Sequence, residues 1–124
     1  MCIRVPCKSN NNAEGGKIKG QMKFSIVYST TKGIAEARRI ANSLIKERIA
    51  ACINIFPIQS LYKWNGKLCN AKEYGMIIKT RQNLVQDAIK RIKSMHSYNV
   101  PCIISFSINK GNKEFLNWIA EEVK

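Results

Sequence analysis

The sequence predicts an α+β domain whose strands and helices follow one another in the order βαββαβ, with one further helix at the end. Two observations predict this order. Segments with alternating apolar residues are separated by segments with apolar residues at helical spacing, and one pair of strands is joined by an Asn-Gly turn. At 124 residues, with 45% hydrophobic and 23% charged residues, the chain fits one globular domain.

The first strand and the first helix follow from a change of period near residue 30. Phe24, Ile26 and Tyr28 alternate with smaller residues, which predicts a strand buried on at least one face. Thr30 or Thr31 is predicted to cap the helix that follows. That helix has an apolar stripe of Ile34, Ala37, Ile40, Ala41, Leu44 and Ile45, and a charged outer side that includes Glu36, Arg38, Arg39, Lys46 and Glu47.

A long hairpin is the next feature. The apolar run 50–57 and the extended segment 59–64 lead into Asn65-Gly66, the strongest short hairpin signal because both turn positions need a positive φ. The returning strand is predicted to run from Lys67 to Thr80. Both strands are long enough to project beyond the body of a small domain.

The second half repeats the plan of the first. Thr80 is predicted to cap a second helix, which ends near His96 because Pro101 prevents its continuation. A fourth strand is expected over residues 102–108, and a short last helix begins near Asn112. The second helix has an apolar stripe of Leu84, Val85, Ala88, Ile89, Ile92 and Met95, and the last helix has inward-facing Phe115, Leu116, Trp118, Ile119 and Val123.

Two βαβ units with right-handed crossovers fold as a ferredoxin-like sandwich, in which an antiparallel sheet carries two helices on one face. The projecting hairpin would leave Tyr62 and Trp64 unshielded in a monomer. Exposed strand edges and apolar patches of this kind favour pairing with another subunit. We therefore expect the chain to form an oligomer through this arm.

Residues 1–21 differ from the rest because the segment 9–16 is polar, rich in Gly and Asn, and without period. It is typical of a disordered N-terminal extension or a cloning remnant, which leaves residues 22–124 as the folded domain. There is no apolar run of about 18 residues, so we expect no membrane span. The five cysteines are odd in number, and those in the body, Cys52, Cys69 and Cys102, lie far apart. We expect reduced, mostly buried thiols and a cytoplasmic location.

Five segments, in the same order, resemble motifs of the CutA family. Residues 50–55 (AACINI) resemble its AACVNI strand, residues 60–67 (SLYKWNGK) its S-x-Y-x-W-x-G-K hairpin, and residues 78–80 its IKT segment. Residues 96–101 (HSYNVP) resemble H-P-Y-x-x-P, and residues 116–119 (LNWI) its closing YLxWI. The resemblance covers about residues 23–123. It implies a ferredoxin-like homotrimer related in architecture to PII signalling proteins, with clefts between subunits, and a role in tolerance of divalent cations, copper above all.

The resemblance suggests a metal site with His96, Cys102 and Cys52, because imidazole and thiolate together suit copper or zinc. His96 has a plainer interpretation as a histidine that a helix C-terminus favours. The chain departs from the family at Asn65 and Cys102, where many members have Glu, and at Ser29 and Met95, where copper-binding bacterial members have Cys and His. These departures remove most of the ligands that such members use, so any Cu(II) site would need ligands from a neighbouring subunit.

A ligand cleft is expected around Tyr62, Trp64, Lys79 and Tyr98, and Tyr62, Trp64 and Trp118 are expected at the trimer interface, where aromatic residues concentrate. With Cys102 in place of Glu, an anionic or neutral ligand becomes an alternative to a cation. The second function class is therefore a PII-like sensor of a small molecule or anion that binds no metal.

Two other classes of protein, nucleic-acid-binding modules and enzymes, fit the sequence less well. The net charge of +13 favours anionic partners, but the sequence lacks the aromatic RNP signature with which an RRM stacks bases, so a nucleic-acid partner is not expected. The loop over residues 29–33 has no Arg of the kind that an acylphosphatase uses, and no P-loop, GxGxxG or Ser/His/Asp set is visible. We therefore expect a protein that is not an enzyme.

Overall fold

The computed structural model describes residues 22–124, and the predicted N-terminal extension over residues 1–21 lies outside the described residues. The elements are β1 (Phe24–Thr31), α1 (Ile34–Lys46), β2 (Cys52–Trp64), β3 (Lys67–Arg81), a 3₁₀ turn (Gln82–Leu84), α2 (Val85–Met95), β4 (Ile103–Ile108) and α3 (Lys113–Glu122). The predicted order is confirmed. None of the helices in this part of the chain is long and apolar enough to cross a membrane.

The four strands form one antiparallel sheet in the order β2-β3-β1-β4. Helices α1 and α2 lie side by side on one face, where Ile40, Leu44 and Ile92 are fully buried against Val27 and Ile78. Since neighbouring side chains on a strand point to opposite faces, β1 gives alternate residues to this core. This is the predicted α+β sandwich with both main helices on one side.

The other side of the sheet, here called the open face, is covered only in part. Its centre consists of the cross-strand row Ile77–Tyr28–Ile104 and the neighbouring pair Ile26–Phe106. The side chains of Ile104 and Phe106 remain 54% and 52% exposed. The ring of Phe115 on α3 lies 5.9 Å from Nζ of Lys79, so α3 covers one end of the open face.

The hairpin of β2 and β3 extends well past the rest of the sheet. Strand β1 pairs with β3 only from Tyr74 onward, so over residues 58–73 the two long strands pair with each other alone. This ribbon has exposed apolar side chains at Leu61, Tyr62, Trp64 and Leu68. Its turn residues Asn65 and Gly66 have φ of 52° and 77°, as the Asn-Gly signal predicts.

The predicted helix caps are wrong. Helix α1 begins after Gly33, which has no side chain to cap it, and Thr31 donates its hydroxyl to the carbonyl oxygen of Gly33 instead. Thr80 belongs to β3 and donates its hydroxyl to the carbonyl oxygen of Ile49, while the 3₁₀ turn separates it from α2. Both threonine side chains are fully buried, so each hydroxyl needs an acceptor inside the protein, and each finds a backbone carbonyl oxygen near the end of its strand.

Two further expectations about burial fail. Ile34 and Ile45, placed in the apolar stripe of α1, are 44% and 42% exposed because they lie at the edge of that stripe. The cysteines are free, as expected, but not mostly buried: Cys102 is exposed, and Cys52 and Cys69 are half-buried. Cys52 and Cys69 lie on the two strands of the hairpin, and Cys102 lies in the loop just before β4.

Helix α3 is held at its C-terminus by one residue from the loop after α1. Arg48 donates from its guanidinium to the backbone carbonyl oxygens of Glu121, Glu122 and Val123, at 2.9 to 3.2 Å. The backbone N–H of Lys124 donates to the carbonyl oxygen of Arg48 in return. These bonds satisfy the last carbonyl groups of the helix, which have no partner within the helix itself.

We expect Gly66→Ala to lower stability by about 1 kcal/mol, because the left-handed φ at this turn is strained for any residue with a Cβ. Thermal unfolding measures the change. Gly33→Ala is the matched control, since neither glycine has another group within 4 Å of an added Cβ and Gly33 has an ordinary extended φ. Equal stabilities of the two variants would contradict the prediction.

Candidate functional site

A buried carboxylate lies at the root of the ribbon. Glu73 on β3 is only 7% exposed. One of its oxygens accepts a hydrogen bond from the hydroxyl of Ser60 on β2, and the other accepts one from the hydroxyl of Tyr98, both at 2.7 Å. The phenol of Tyr98 therefore connects the loop between α2 and β4 to the ribbon.

His96 positions that phenol. The backbone N–H of Tyr98 donates to Nδ1 of His96 at 3.1 Å, and the two rings lie 4.9 Å apart between centroids. The other ring nitrogen, Nε2, is 2.7 Å from the carbonyl oxygen of Thr30. Because a carbonyl can only accept, Nε2 is the protonated nitrogen and Nδ1 is the acceptor. The imidazole side chain is fully buried, and both nitrogens are engaged.

A second buried carboxylate supports the same loop from the helical side. Glu36 in the first turn of α1 accepts hydrogen bonds from the backbone N–H of Ser97 at 2.7 Å and from its hydroxyl at 3.0 Å. One of its oxygens is 3.8 Å from Nδ1 of His96. Burial alone would raise the pKa of Glu36, but the two hydrogen bonds from Ser97 outweigh burial, so the pKa is lowered.

The tyrosine and cysteine side chains around Glu73 have raised pKa values. Burial, followed by the hydrogen bond to Glu73, raises the pKa of Tyr98 far above its ordinary value. Cys102 is exposed as a residue, but partial desolvation of its thiol, followed by the negative charge of Glu73, raises the pKa of that thiol. The pKa of Tyr28 is raised by burial and then by Cys102 and Glu73. The site therefore consists of one buried carboxylate with two hydroxyl donors, Ser60 and Tyr98, and further weakly acidic groups nearby.

The three predicted metal ligands do not form a set within one chain. Both nitrogens of His96 are engaged, and the raised pKa of the Cys102 thiol disfavours the thiolate, which is the form that binds metals. Cys52 lies on the open face, with its sulfur 3.7 Å from Nζ of Lys79. Within residues 22–124 no three His, Cys, Asp or Glu side chains come close enough together to hold a metal ion.

The predicted cleft residues fall into two groups. Tyr62 is close enough to Tyr98 to affect the pKa of that phenol, and Trp64 is exposed further along the same ribbon. Lys79 lies at the other end of the open face, where its ammonium group contacts Oδ1 of Asn54. The predicted interface residue Trp118 is half-buried on α3 and stacks on Phe115 with 5.6 Å between ring centroids.

Sequence reasoning missed both carboxylates of the site. Glu36 was placed on the charged side of α1, yet it is only 3% exposed. A signal for its burial existed, because Glu36 is four residues before Ile40 and therefore shares a face with it. Glu73 gave no such signal, because its burial depends on Tyr98, which is 25 residues away in the sequence.

Comparison with known proteins shows that the chain is similar to one protein family. The family model of the CutA1 divalent ion tolerance protein matches residues 25–122. The divalent-cation tolerance protein CutA of Archaeoglobus fulgidus is 45% identical over 100 residues, which are 81% of this chain and 98% of that protein. The CutA of Pyrococcus horikoshii is 39% identical over 80% of this chain and 97% of its own length.

Solved structures agree with these matches. The structure described as the periplasmic divalent cation tolerance protein CutA of Archaeoglobus fulgidus has a TM-score of 0.80 at 44% identity, covering 82% of this chain and 99% of its own. CutA1 of Oryza sativa also has a TM-score of 0.80, at 37% identity, and covers 82% of this chain and 94% of its own.

We expect Glu36→Gln to lower the free energy of unfolding at pH 7 by about 1–3 kcal/mol, because a neutral amide weakens the bonds to Ser97 in a buried place. The lowered pKa gives a sign for the pH dependence. The contribution of Glu36 is complete above its ordinary pKa of 4.5 and is lost as the pH falls through its lower folded-state value.

Urea unfolding from pH 7 down to pH 3 measures this contribution. The variant should show a smaller loss of stability on acidification than the wild type. Glu114→Gln is the matched control, since Glu114 is also in the first turn of its helix but is exposed. A variant whose stability follows pH in parallel with the wild type would contradict the assignment.

Proposed function

The chain belongs to the CutA1 divalent ion tolerance family, and from this premise we propose that it assembles as a homotrimer that binds a divalent cation or another small ligand in clefts between its copies. The proposed role is one of binding and response rather than catalysis. A reducing compartment such as the cytoplasm suits its three free body cysteines, Cys52, Cys69 and Cys102.

The open face carries the proposal of assembly. Ile104 and Phe106 are about half exposed in the single chain, and they continue into a row with Ile77 and Tyr28. Burying one side chain of this size stabilises an assembly by about 1.5–3 kcal/mol. Burial of the open face in each of three copies would therefore strongly favour trimer formation. The ribbon adds further exposed apolar side chains. Because an isolated two-stranded hairpin is only marginally stable in water, contact with a neighbouring copy would stabilise it.

The cleft follows from the same arrangement. Glu73, Tyr98 and Ser60 lie where the ribbon leaves the sheet, next to the surface that a neighbouring copy would cover. A cation at this place would meet the carboxylate of Glu73 and the sulfur of Cys102, and the neighbour would have to complete its coordination. Copper is the cation that the family resemblance implies, and it is the first ion to test.

A second candidate is a PII-like sensor for a small molecule or anion that binds no metal. The engaged nitrogens of His96 and the raised pKa of Cys102 favour it, because both remove ligands that copper or zinc prefer. In this alternative the donors around Glu73 and the aromatic side chains of Tyr62 and Trp64 recognise an organic ligand.

We expect Phe106→Glu to dissociate the assembly, because a charge would have to be buried at the centre of the interface. Sedimentation at micromolar concentration should show the wild type at about three times the chain mass of 14.1 kDa and the variant at a lower mass. Ile34→Glu is the matched control, since Ile34 is 44% exposed on the helical side. A wild type that sediments as a stable monomer would refute the proposal.

Isothermal titration with Cu(II) and Zn(II) separates the two candidates. If a cation binds in the cleft, Cys102→Ser and His96→Ala should each weaken binding by about tenfold or more, while Cys69→Ser, a thiol on the ribbon, should not. Circular dichroism checks that the variants remain folded. Identical isotherms for all four proteins would end the metal hypothesis and favour the sensor.

A further inference from the structure

We propose that the outer surface of the helical layer binds the phosphate backbone of double-stranded nucleic acid without regard to sequence. This surface, here called the basic face, is defined by the exposed cations of the two helices that cover the sheet. They are Arg38, Arg39 and Lys46 on α1, and Lys90 and Lys93 on α2.

These cations are not neutralised by neighbouring carboxylates. Glu36 is buried and hydrogen-bonded to Ser97. Glu47 forms a salt bridge with Arg91, with 2.8 Å between Nη2 of Arg91 and Oε2 of Glu47. Within residues 22–124 no other Lys or Arg comes within 4.0 Å of a carboxylate. Asp87 is the remaining exposed acidic residue of the two helices. The basic face therefore keeps a clear excess of positive charge.

The position of the basic face leaves it free in the proposed assembly. Helices α1 and α2 contact the sheet on the side opposite Ile104 and Phe106, so copies that cover the open face leave both helices pointing outward. Helix α1 has 13 residues and is about 20 Å long, which corresponds to roughly six steps along a duplex strand. A pair of such helices can reach several phosphates on one side of a duplex.

The side chains between the cations favour a duplex over a membrane or a single strand. Among the described residues, α2 has no exposed large apolar side chain, and those of α1, Ile34 and Ile45, lie at the edge of its apolar stripe. A helix that lies in a membrane surface needs apolar residues among its cations. Single strands need aromatic platforms, and neither helix has an aromatic residue. Exposed Asn42 and Gln86 instead suit hydrogen bonds to phosphate.

This surface is distinct from the base-stacking sheet of an RRM, which the sequence argument set aside. Backbone binding needs cations and hydrogen-bond donors but no RNP aromatic residues. It is also separate from the cleft, because the hydrogen bonds of Glu73, His96 and Tyr98 within residues 22–124 involve no residue of the basic face. Failure of one proposal therefore leaves the other standing.

Fluorescence anisotropy with a labelled 24-base-pair DNA duplex of arbitrary sequence (about four times the length of α1) tests the proposal, from 25 to 300 mM NaCl. We expect wild-type binding that weakens steeply with salt. The triple variant Arg39→Gln, Lys46→Gln, Lys90→Gln should bind at least about tenfold more weakly at 50 mM salt, with a salt slope smaller by up to about 0.9 for each lost phosphate contact. Absence of wild-type binding at 25 mM salt would overturn the proposal.

A charge-matched control separates the basic face from net charge alone. The triple variant Lys67→Gln, Lys110→Gln, Lys113→Gln removes the same charge from exposed positions outside α1 and α2. It should keep nearly the wild-type affinity, and an equal loss in both triples would overturn the proposal. Asp87→Asn should tighten duplex binding a few-fold, because it removes a negative charge from α2. An unchanged affinity would mean that the duplex binds outside the basic face. Binding to phosphatidylserine vesicles without duplex binding would also overturn it, in favour of a membrane surface.

Discussion

A four-stranded sheet has two faces, and this chain covers only one of them fully. The helices α1 and α2 bury Val27, Met76 and Ile78 completely, while Ile104 and Phe106 on the opposite face stay about half exposed. A sheet with apolar side chains on both faces needs a second layer. The short helix α3 supplies that layer at one end only, so the centre of the open face stays uncovered in the single chain.

The loop between α2 and β4 connects the two layers through polar contacts. Its residues His96, Ser97 and Tyr98 each engage a different element: β1 through Thr30, α1 through Glu36, and β3 through Glu73. Both oxygens of each buried carboxylate accept a hydrogen bond. Glu36 accepts from the backbone N–H and the hydroxyl of Ser97, and Glu73 accepts from the hydroxyls of Ser60 and Tyr98. Satisfied networks of this kind rigidify a structure, whereas a missing partner leaves a costly buried charge. The loop therefore holds the root of the ribbon in a defined place.

Charge is distributed unevenly between the two sides of the molecule. The helical side has five exposed cations and one exposed carboxylate on α1 and α2, while the centre of the open face is apolar. An apolar face favours contact with like copies, and a charged face favours contact with ions and polyanions. The two surfaces thus suit different partners, and both can be used at once because they lie on opposite sides of the sheet.

The order of the elements, the Asn65-Gly66 turn and the length of the ribbon were all predictable from the sequence. These features depend on local periodicity and on backbone preferences that a few neighbouring residues decide. The five family segments likewise identified the group to which the chain belongs, because their order is read along the chain. Only the folded structure shows the burial of Glu73, the roles of Thr31 and Thr80, and the exposure of Cys102. Each of these depends on what the folded chain brings alongside the residue, and contacts between distant segments leave no periodic signal in the sequence.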